Sequence, residues 1–265
     1  MFFFWQAALR DRIQLIEPFV RARTKALEEA TATSLTPITF KGVPYCKGTC
    51  GDKPCAWSYV EKLVQMSVPN AQVVALERVF SEHLTRRYAN HKINEVMPTA
   101  VNHAANDLIL FHGTGASEPH DVLLSGNGLS PLASKGGMYG NGTYLAKKAC
   151  YPISGRYGYR VPGSTDRVRL VLVRVCTGTP WHAKGLVDAQ TRSLKEPPVR
   201  IESSPPVRFN CVRAGPHRPH AVGTGEGASE MYVVYEKQQM LAEFIVELRV
   251  VPPQRVALKR KALNV

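Results

Sequence analysis

The feature that most constrains this chain is a change of hydrophobic period near residue 108. Over residues 71–91, Val74, Leu76, Val79, Phe80, Leu84 and Tyr88 recur at helical spacing, with Glu77, Arg78, Glu82 and Arg86 between them. This pattern predicts one amphipathic helix that seals the side of a sheet. From residue 108 the apolar residues come instead in strand-like runs, at 108–111, 168–175, 231–235 and 243–251, separated by glycine and proline loops. The second half of the chain therefore reads as mainly β, and the whole as α+β. Upstream, Ile13, Leu15, Ile16, Phe19 and Val20 suggest a further amphipathic helix within 11–30, followed by a turn-rich stretch at 31–54 that marks a boundary. Residues 177–229 show little periodicity and much proline and glycine, which predicts extended loops with one short strand.

Charge narrows the partners. Lys and Arg total 34 against 21 Asp and Glu, a formal net charge of +13. Such a surface favours phosphate-bearing partners, a nucleotide or a nucleic acid, and serves equally for solubility. No apolar run approaches the roughly 20 residues that cross a bilayer, and Arg10, Asp11 and Arg12 interrupt the apolar start, so the expectation is an intracellular chain, cytoplasmic or nuclear, without a membrane partner. Six scattered cysteines suit reduced thiols. Cys46, Cys50 and Cys55 lack a paired Cys-x-x-Cys pattern and a nearby fourth ligand, so no metal site is expected.

Three segments carry chemistry. In Phe111-His112-Gly113-Thr114 an apolar strand ends in a histidine followed by a residue with no side chain, where a flat ligand can reach backbone N–H and C=O groups while the imidazole bonds a hydroxyl. Tyr139-Gly140-Asn141-Gly142-Thr143-Tyr144-Leu145-Ala146 is a tight glycine turn delivering an aromatic residue into the next element. It lacks the order of a Rossmann fingerprint. Glu230-Met231-Tyr232-Val233-Val234-Tyr235-Glu236-Lys237-Gln238-Gln239, with Met240 to Val246 after it, reads as strand, polar turn and strand. Each segment alone fits an ordinary turn or core strand.

Taken in this order, the three segments resemble the signature of the catalytic domain of the poly(ADP-ribose) polymerase (PARP) family, over about residues 72–251. The resemblance implies the ADP-ribosyltransferase fold, a split and mainly antiparallel β core with an NAD cleft and N-terminal helices beside it. It divides the chain into a lead-in at 1–55, a PARP-like domain at 56–251 and a basic tail at 252–265. It implies NAD as co-substrate, bound by His112 at the adenosine ribose, by Gly113 at the nicotinamide amide with Thr114 beside it in the cofactor-binding set, by Tyr144 at the nicotinamide, and by Tyr151 and Tyr157, whose aromatic faces sandwich the nicotinamide ring.

In the family, the third segment carries Glu in chain-building members and usually an apolar residue in those that transfer one ADP-ribose. Anchoring on Gln239 and Phe244 places that position at Met231, next to Glu230. Because neighbouring strand side chains face opposite sides, only one of the two points into the cleft. His112, Tyr144 and Met231 are therefore the expected catalytic set, and the expected reaction is mono-ADP-ribosylation of a protein, or of a nucleic acid, with release of nicotinamide.

Two departures point the other way, to a protein that binds NAD or ADP-ribose without transfer. Pro152 stands where most relatives place a serine hydroxyl, with Ser154 nearby, and Ser130-Pro131 stands where they carry an adenosine-side arginine, with Lys135 a replacement. The basic run Arg213-Ala214-Gly215-Pro216-His217-Arg218-Pro219-His220 is the candidate for choosing an acceptor or for touching nucleic acid.

Overall fold

The computed structural model describes residues 38–43, 55–134, 136–183, 189–200, 203–217 and 228–250. The helix expected within 11–30, Cys46, Cys50, Lys135, Arg218, Pro219 and His220 of the basic run, and the basic tail lie outside the described residues.

Twelve strands are described: β1 (Thr39–Gly42), β2 (Ala71–Phe80), β3 (Asp107–His112), β4 (Thr143–Ala146), β5 (Tyr159–Arg160), β6 (Arg167–Cys176), β7 (Pro180–His182), β8 (Val199–Arg200), β9 (Val207–Arg208), β10 (Cys211–His217), β11 (Ser229–Val234) and β12 (Met240–Val250). Ten form one sheet in the order β1-β2-β12-β6-β3-β4-β11-β10-β7, with β5 on the edge of β6. Every pair in it is antiparallel except β10 with β7. The fold is thus α+β with a mostly antiparallel sheet. β6 is buried along most of its length, as its central apolar run Leu170 to Val173 requires.

The sheet is split in function if not in continuity. β3 pairs with β6 through six residues, whereas β3 pairs with β4 only through Phe111 and Ala146. The strands β1-β2-β12-β6-β3 and β4-β11-β10-β7 therefore form two half-sheets with a narrow joint. One face of the larger half is covered by α1 (Ala56–Gln65), which buries Trp57, Val60 and Val64 against Leu76, Phe111, Leu170 and Leu248. The other face holds Leu110, Val171, Val173 and Ile245 together with Leu123 of α3 (Pro119–Ser125) and Leu129.

The expected helix over 71–91 is corrected. Residues 71–80 are strand β2, and only α2 (Glu82–His91) is helical, capped by Ser81, whose Oγ accepts from Leu84 N at 3.3 Å. The reason lies in the register between β2 and β12. Glu247 faces Ala75 while Leu248 faces Val73, so β2 carries one extra residue there. Leu76 and Val79, three apart, are both buried but in different cores, on opposite faces of a strand covered on both sides, and a spacing of three imitates a helix. The expected loop at 177–229 is also corrected: it holds β7 to β10 and α5 (Ala189–Arg192), strands too short for a periodic signal apart from β10. β1, from the turn-rich stretch, pairs along β2 and so joins the sheet.

A charged clasp ties α3 to the large half-sheet. His120 Nδ1 lies 2.9 Å from Glu118 Oε1 and its Nε2 lies 3.0 Å from Glu77 Oε2. Arg169 bridges Glu118 and Glu247, each at 2.9 Å. Both imidazole nitrogens face carboxylates, so both bonds require the imidazolium. Burial alone would lower the pKa of His120, but the bonds to Glu77 and Glu118 outweigh it and the net shift is upward. Stability from the clasp is then fully present below the ordinary value of 6.5 and fades as pH rises through the raised folded value. The melting temperature of His120→Gln is expected to fall furthest below that of the wild type near pH 5.5, with the gap narrowing by pH 9; a gap independent of pH would contradict the charged state.

Candidate functional site

The joint between the half-sheets is where the sequence places its first segment. His112 ends β3, and its Nδ1 lies 2.9 Å from the carbonyl oxygen of Tyr144 in β4. A carbonyl only accepts, so Nδ1 carries the hydrogen and Nε2 is left as an acceptor. Burial lowers the pKa of this imidazole, against the opposing effect of the bond to Tyr144, which keeps the ring neutral near pH 7. A neutral ring that accepts at Nε2 suits a ligand hydroxyl.

Gly113 follows with a steric reason of its own. A Cβ built there would lie 2.3 Å from the carbonyl oxygen of Tyr157 and 2.7 Å from Gly158 N. The chain after β3 thus passes backbone to backbone against residues 157 and 158, and Gly115 N donates to Tyr157 O at 2.6 Å. Thr114 shapes the turn itself, its hydroxyl donating to Ser117 O at 2.6 Å. The partner segment is organised by Pro152, whose carbonyl accepts from both Tyr157 N and Gly158 N at 2.9 Å. Pro152 is buried in the short helix α4 (Cys150–Ser154), with Ser154 partly exposed at its end. Proline loses an N–H and a hydroxyl here but keeps the carbonyl that folds residues 151–158 back on themselves.

That fold-back sets the aromatic geometry. The rings of Tyr151 and Tyr157 lie on each other, centroids 5.7 Å apart and planes 19° apart. This is the spacing of direct contact, so the pair is one stacked platform with no third ring between them. Tyr151 is buried, and burial pushes its phenol up to about 12; Tyr157, 43% exposed, offers the open face. Met231, only 5% exposed, packs with Ala146, Tyr151 and Tyr144. The structure therefore brings His112, Gly113, Tyr144, Tyr151, Tyr157 and Met231 around the joint.

Glu230 points away from this group. Its carboxylate takes Lys147 Nζ at 2.9 Å and Arg213 Nε at 3.1 Å, with Arg213 Nη2 closer still. The bond to Arg213, opposed by burial and assisted by Lys147, holds Glu230 below the usual carboxylate range. The alternation expected of a strand is observed here: Met231 and Val233 sit on one face of β11, Tyr232 and Val234 on the other. Arg213, which the sequence made a candidate for touching an acceptor or nucleic acid, spends its charge on Glu230. Arg167, Arg169, Arg174, Arg208 and Arg249 are likewise paired with carboxylates.

Residues that sequence reasoning missed hold Tyr144 from behind. Its hydroxyl accepts from Tyr139 N at 2.8 Å and donates to Gly140 O at 3.0 Å. Burial pushes this phenol up to about 12. The glycines of this turn serve the protein's own contacts: a Cβ on Gly137 would lie 2.6 Å from the Tyr144 hydroxyl, and one on Gly140 would lie 1.9 Å from Leu194 O. Tyr235 closes the turn, its hydroxyl donating to Tyr139 O at 2.5 Å. Tyr139 and Tyr235 stood inside the quoted motifs, but nothing in their spacing marked them as supports. Ser130 and Pro131 follow directly after the buried Leu129. Cys55 caps α1 through Ser58 N, and among the described residues no group of His, Cys, Asp and Glu is arranged to hold a metal ion. No described helix is long and apolar enough to cross a membrane.

Comparison with known proteins gives a consistent picture. Residues 56–250 match the family described as poly(ADP-ribose) polymerase catalytic domain. The chain is 30% identical over 131 residues to "Protein mono-ADP-ribosyltransferase PARP10" of Mus musculus, a match covering 49% of this chain and 12% of that protein. It is 25% identical over 178 residues to "Protein mono-ADP-ribosyltransferase PARP14" of Homo sapiens, covering 67% of this chain and 9% of that protein. The matches thus span about a tenth of the length of either relative.

One consequence of the close backbone passage at Gly113 is testable by a single methyl group. Gly113→Ala is expected to destabilise the fold by about 1–3 kcal/mol, as overpacking does, and to lack the rise in melting temperature that is expected of the wild type on addition of NAD. A variant with wild-type stability and an unchanged NAD response would show that residues 113 and 157 do not touch.

Proposed function

Because the chain belongs to the poly(ADP-ribose) polymerase catalytic-domain family, whose co-substrate is NAD, we propose that it transfers a single ADP-ribose from NAD to a protein acceptor. The nicotinamide–ribose bond breaks and its electron pair leaves with nicotinamide, while an acceptor atom bonds the anomeric carbon. In this reading His112 Nε2 accepts a hydroxyl of the adenosine ribose, and the Gly113 backbone takes the nicotinamide amide, with Thr114 fixing the turn. The ring rests between Tyr144 and the open face of Tyr157, which Tyr151 backs. The residues orient the substrate and exclude water, and their contribution is positional.

The observation that carries the single-unit reading is the pair Met231 and Glu230. Met231 is buried beside Tyr151 and Tyr144, where a carboxylate would be needed to bond a ribose hydroxyl and activate it as the next acceptor. Glu230 is committed to Arg213 and Lys147 on the other face. With no carboxylate at that place, an acidic acceptor side chain fits best, because it attacks already ionised and needs no base. The names of both relatives, mono-ADP-ribosyltransferases, agree with this. Pro152 and Ser130-Pro131 favour a second reading, in which the same cleft binds NAD without transfer.

Incubation with NAD labelled on adenine, resolved by mass and gel, separates the two. One ADP-ribose mass on protein, with free nicotinamide in equal amount, is the expected result. NAD-induced stabilisation with neither product would establish the binding-only reading, and long chains would overturn the role given to Met231. Substitution tests the residues. His112→Ala is expected to lose at least about tenfold in kcat/KM for NAD, the worth of 1.4 kcal/mol, with its melting temperature near that of the wild type. Labelling at the wild-type rate in that variant would remove His112 from the site. Met231→Glu is expected to change at most product length, and loss of all transfer would show that the methionine serves packing that a carboxylate disrupts.

A further inference from the structure

Behind Tyr144 lies a histidine with no place in the reaction described above. His217 ends β10, and its Nε2 shares a hydrogen bond of 2.9 Å with the hydroxyl of Tyr139. Tyr139 is fully buried, among Val212, Ala214, Val233 and Tyr235. Its backbone N–H is the donor to the Tyr144 hydroxyl, at 2.8 Å. One side chain and one peptide group therefore separate His217 from a tyrosine at the nicotinamide end of the proposed site.

The backbone has been bent to place this histidine. Along β10, Ala214 faces Met231 of β11, but the next registered pair is His217 with Ser229, so three steps on β10 match two on β11. In a regular strand, residue 217 would point to the face opposite that of Ala214. The extra residue reverses this parity and turns His217 to the face shared by Ala214, Met231 and Tyr139. Bulges of this kind re-aim a side chain at a functional site. Gly215 permits it: φ is +94°, and a Cβ would lie 2.6 Å from His217 N. The bond itself joins two uncharged groups, because burial raises the phenol pKa of Tyr139 and lowers the imidazole pKa of His217.

We propose that His217 is a positioning residue for NAD: through Tyr139 it fixes the 136–142 turn and with it the hydroxyl of Tyr144, while taking no part in bond making. This rests on the NAD site proposed above. Without His217 the Tyr139 hydroxyl is buried with no partner, and that group moves to find one. The turn carries Tyr139 N and Gly140 O, the two atoms that hold the Tyr144 hydroxyl, so the ring of Tyr144 loses its fixed place. The expected consequence is weaker binding of NAD with little change in the rate at saturation.

The test is a set of variants of the full chain: His217→Ala, Tyr139→Phe, the two together, and His217→Gln, whose amide can still bond the phenol. Kd for NAD, KM and kcat, and the melting temperature are measured for each. Both single variants are expected to raise Kd and KM roughly three- to tenfold, about the worth of one hydrogen bond, with kcat within about twofold. The double variant is expected to be no worse than the weaker single variant, since both remove the same bond, and His217→Gln is expected to recover much of the loss. Should His217→Ala fail to fold, Tyr139→Phe and His217→Gln decide the matter by the same readouts. Unchanged Kd in variants of a wild type that binds NAD would overturn this inference alone, as would a lower melting temperature with Kd and KM unmoved. A wild type that neither binds nor turns over NAD would overturn the proposed function instead.

Discussion

The structure depends on a joint one residue pair wide. Two half-sheets meet where Phe111 faces Ala146, and beside that pair the His112 side chain bonds the backbone of Tyr144. Leu110, Val171 and Ile245 of the larger half share one core with Leu145, Tyr232 and Val234 of the smaller, and this core holds the halves together where the ladder is narrow. The His112 bond adds a polar link at the same place, made by the residue expected to hold a ribose. Gly113 continues the arrangement by bringing the chain against residues 157 and 158 with no side chain between.

The rest of the site follows from satisfying buried polar groups around that joint. Pro152 O accepts two N–H groups and turns Tyr157 back over Tyr151; the hydroxyls of Tyr144 and Tyr235 close the glycine turn on itself. Each such bond is worth about 1 kcal/mol net, but leaving one of these buried groups unpaired costs more, about 1–3 kcal/mol. The turn is therefore held as a unit. Several arginines are similarly engaged within the fold, bracing strand to strand through Glu247, Glu243 and Glu230, while the chain keeps its net charge of +13.

Much of this was legible in the sequence, for reasons that separate what was seen from what was not. The runs in β3, β6, β11 and β12 are long and apolar, and strand period needs nothing else to be read. The opposed faces of Glu230 and Met231 followed from alternation alone, and the ion pairs of Glu230 with Arg213 and Lys147 agree with it. β2 reads as helix because Leu76 and Val79, three apart, are both buried on opposite faces of the strand, and a bulge at its start breaks the alternation that would mark a strand. The same kind of defect hid His217: a bulge in β10 decides which way it faces, and no pattern of residues announces a bulge. The stacked contact of Tyr151 with Tyr157 depends on a carbonyl of Pro152, a backbone group that a reading of side chains passes over.

In the proposed function a ligand occupies the joint between the half-sheets, with its flat ring at the aromatic platform. A crystal structure of the chain with nicotinamide bound tests it most directly. The ring is expected between Tyr144 and the open face of Tyr157, with its amide on the backbone of Gly113 and the His112 to Tyr144 bond intact. Nicotinamide bound elsewhere, or a cleft filled by the protein's own side chains with Tyr157 closed over Gly113, would contradict it.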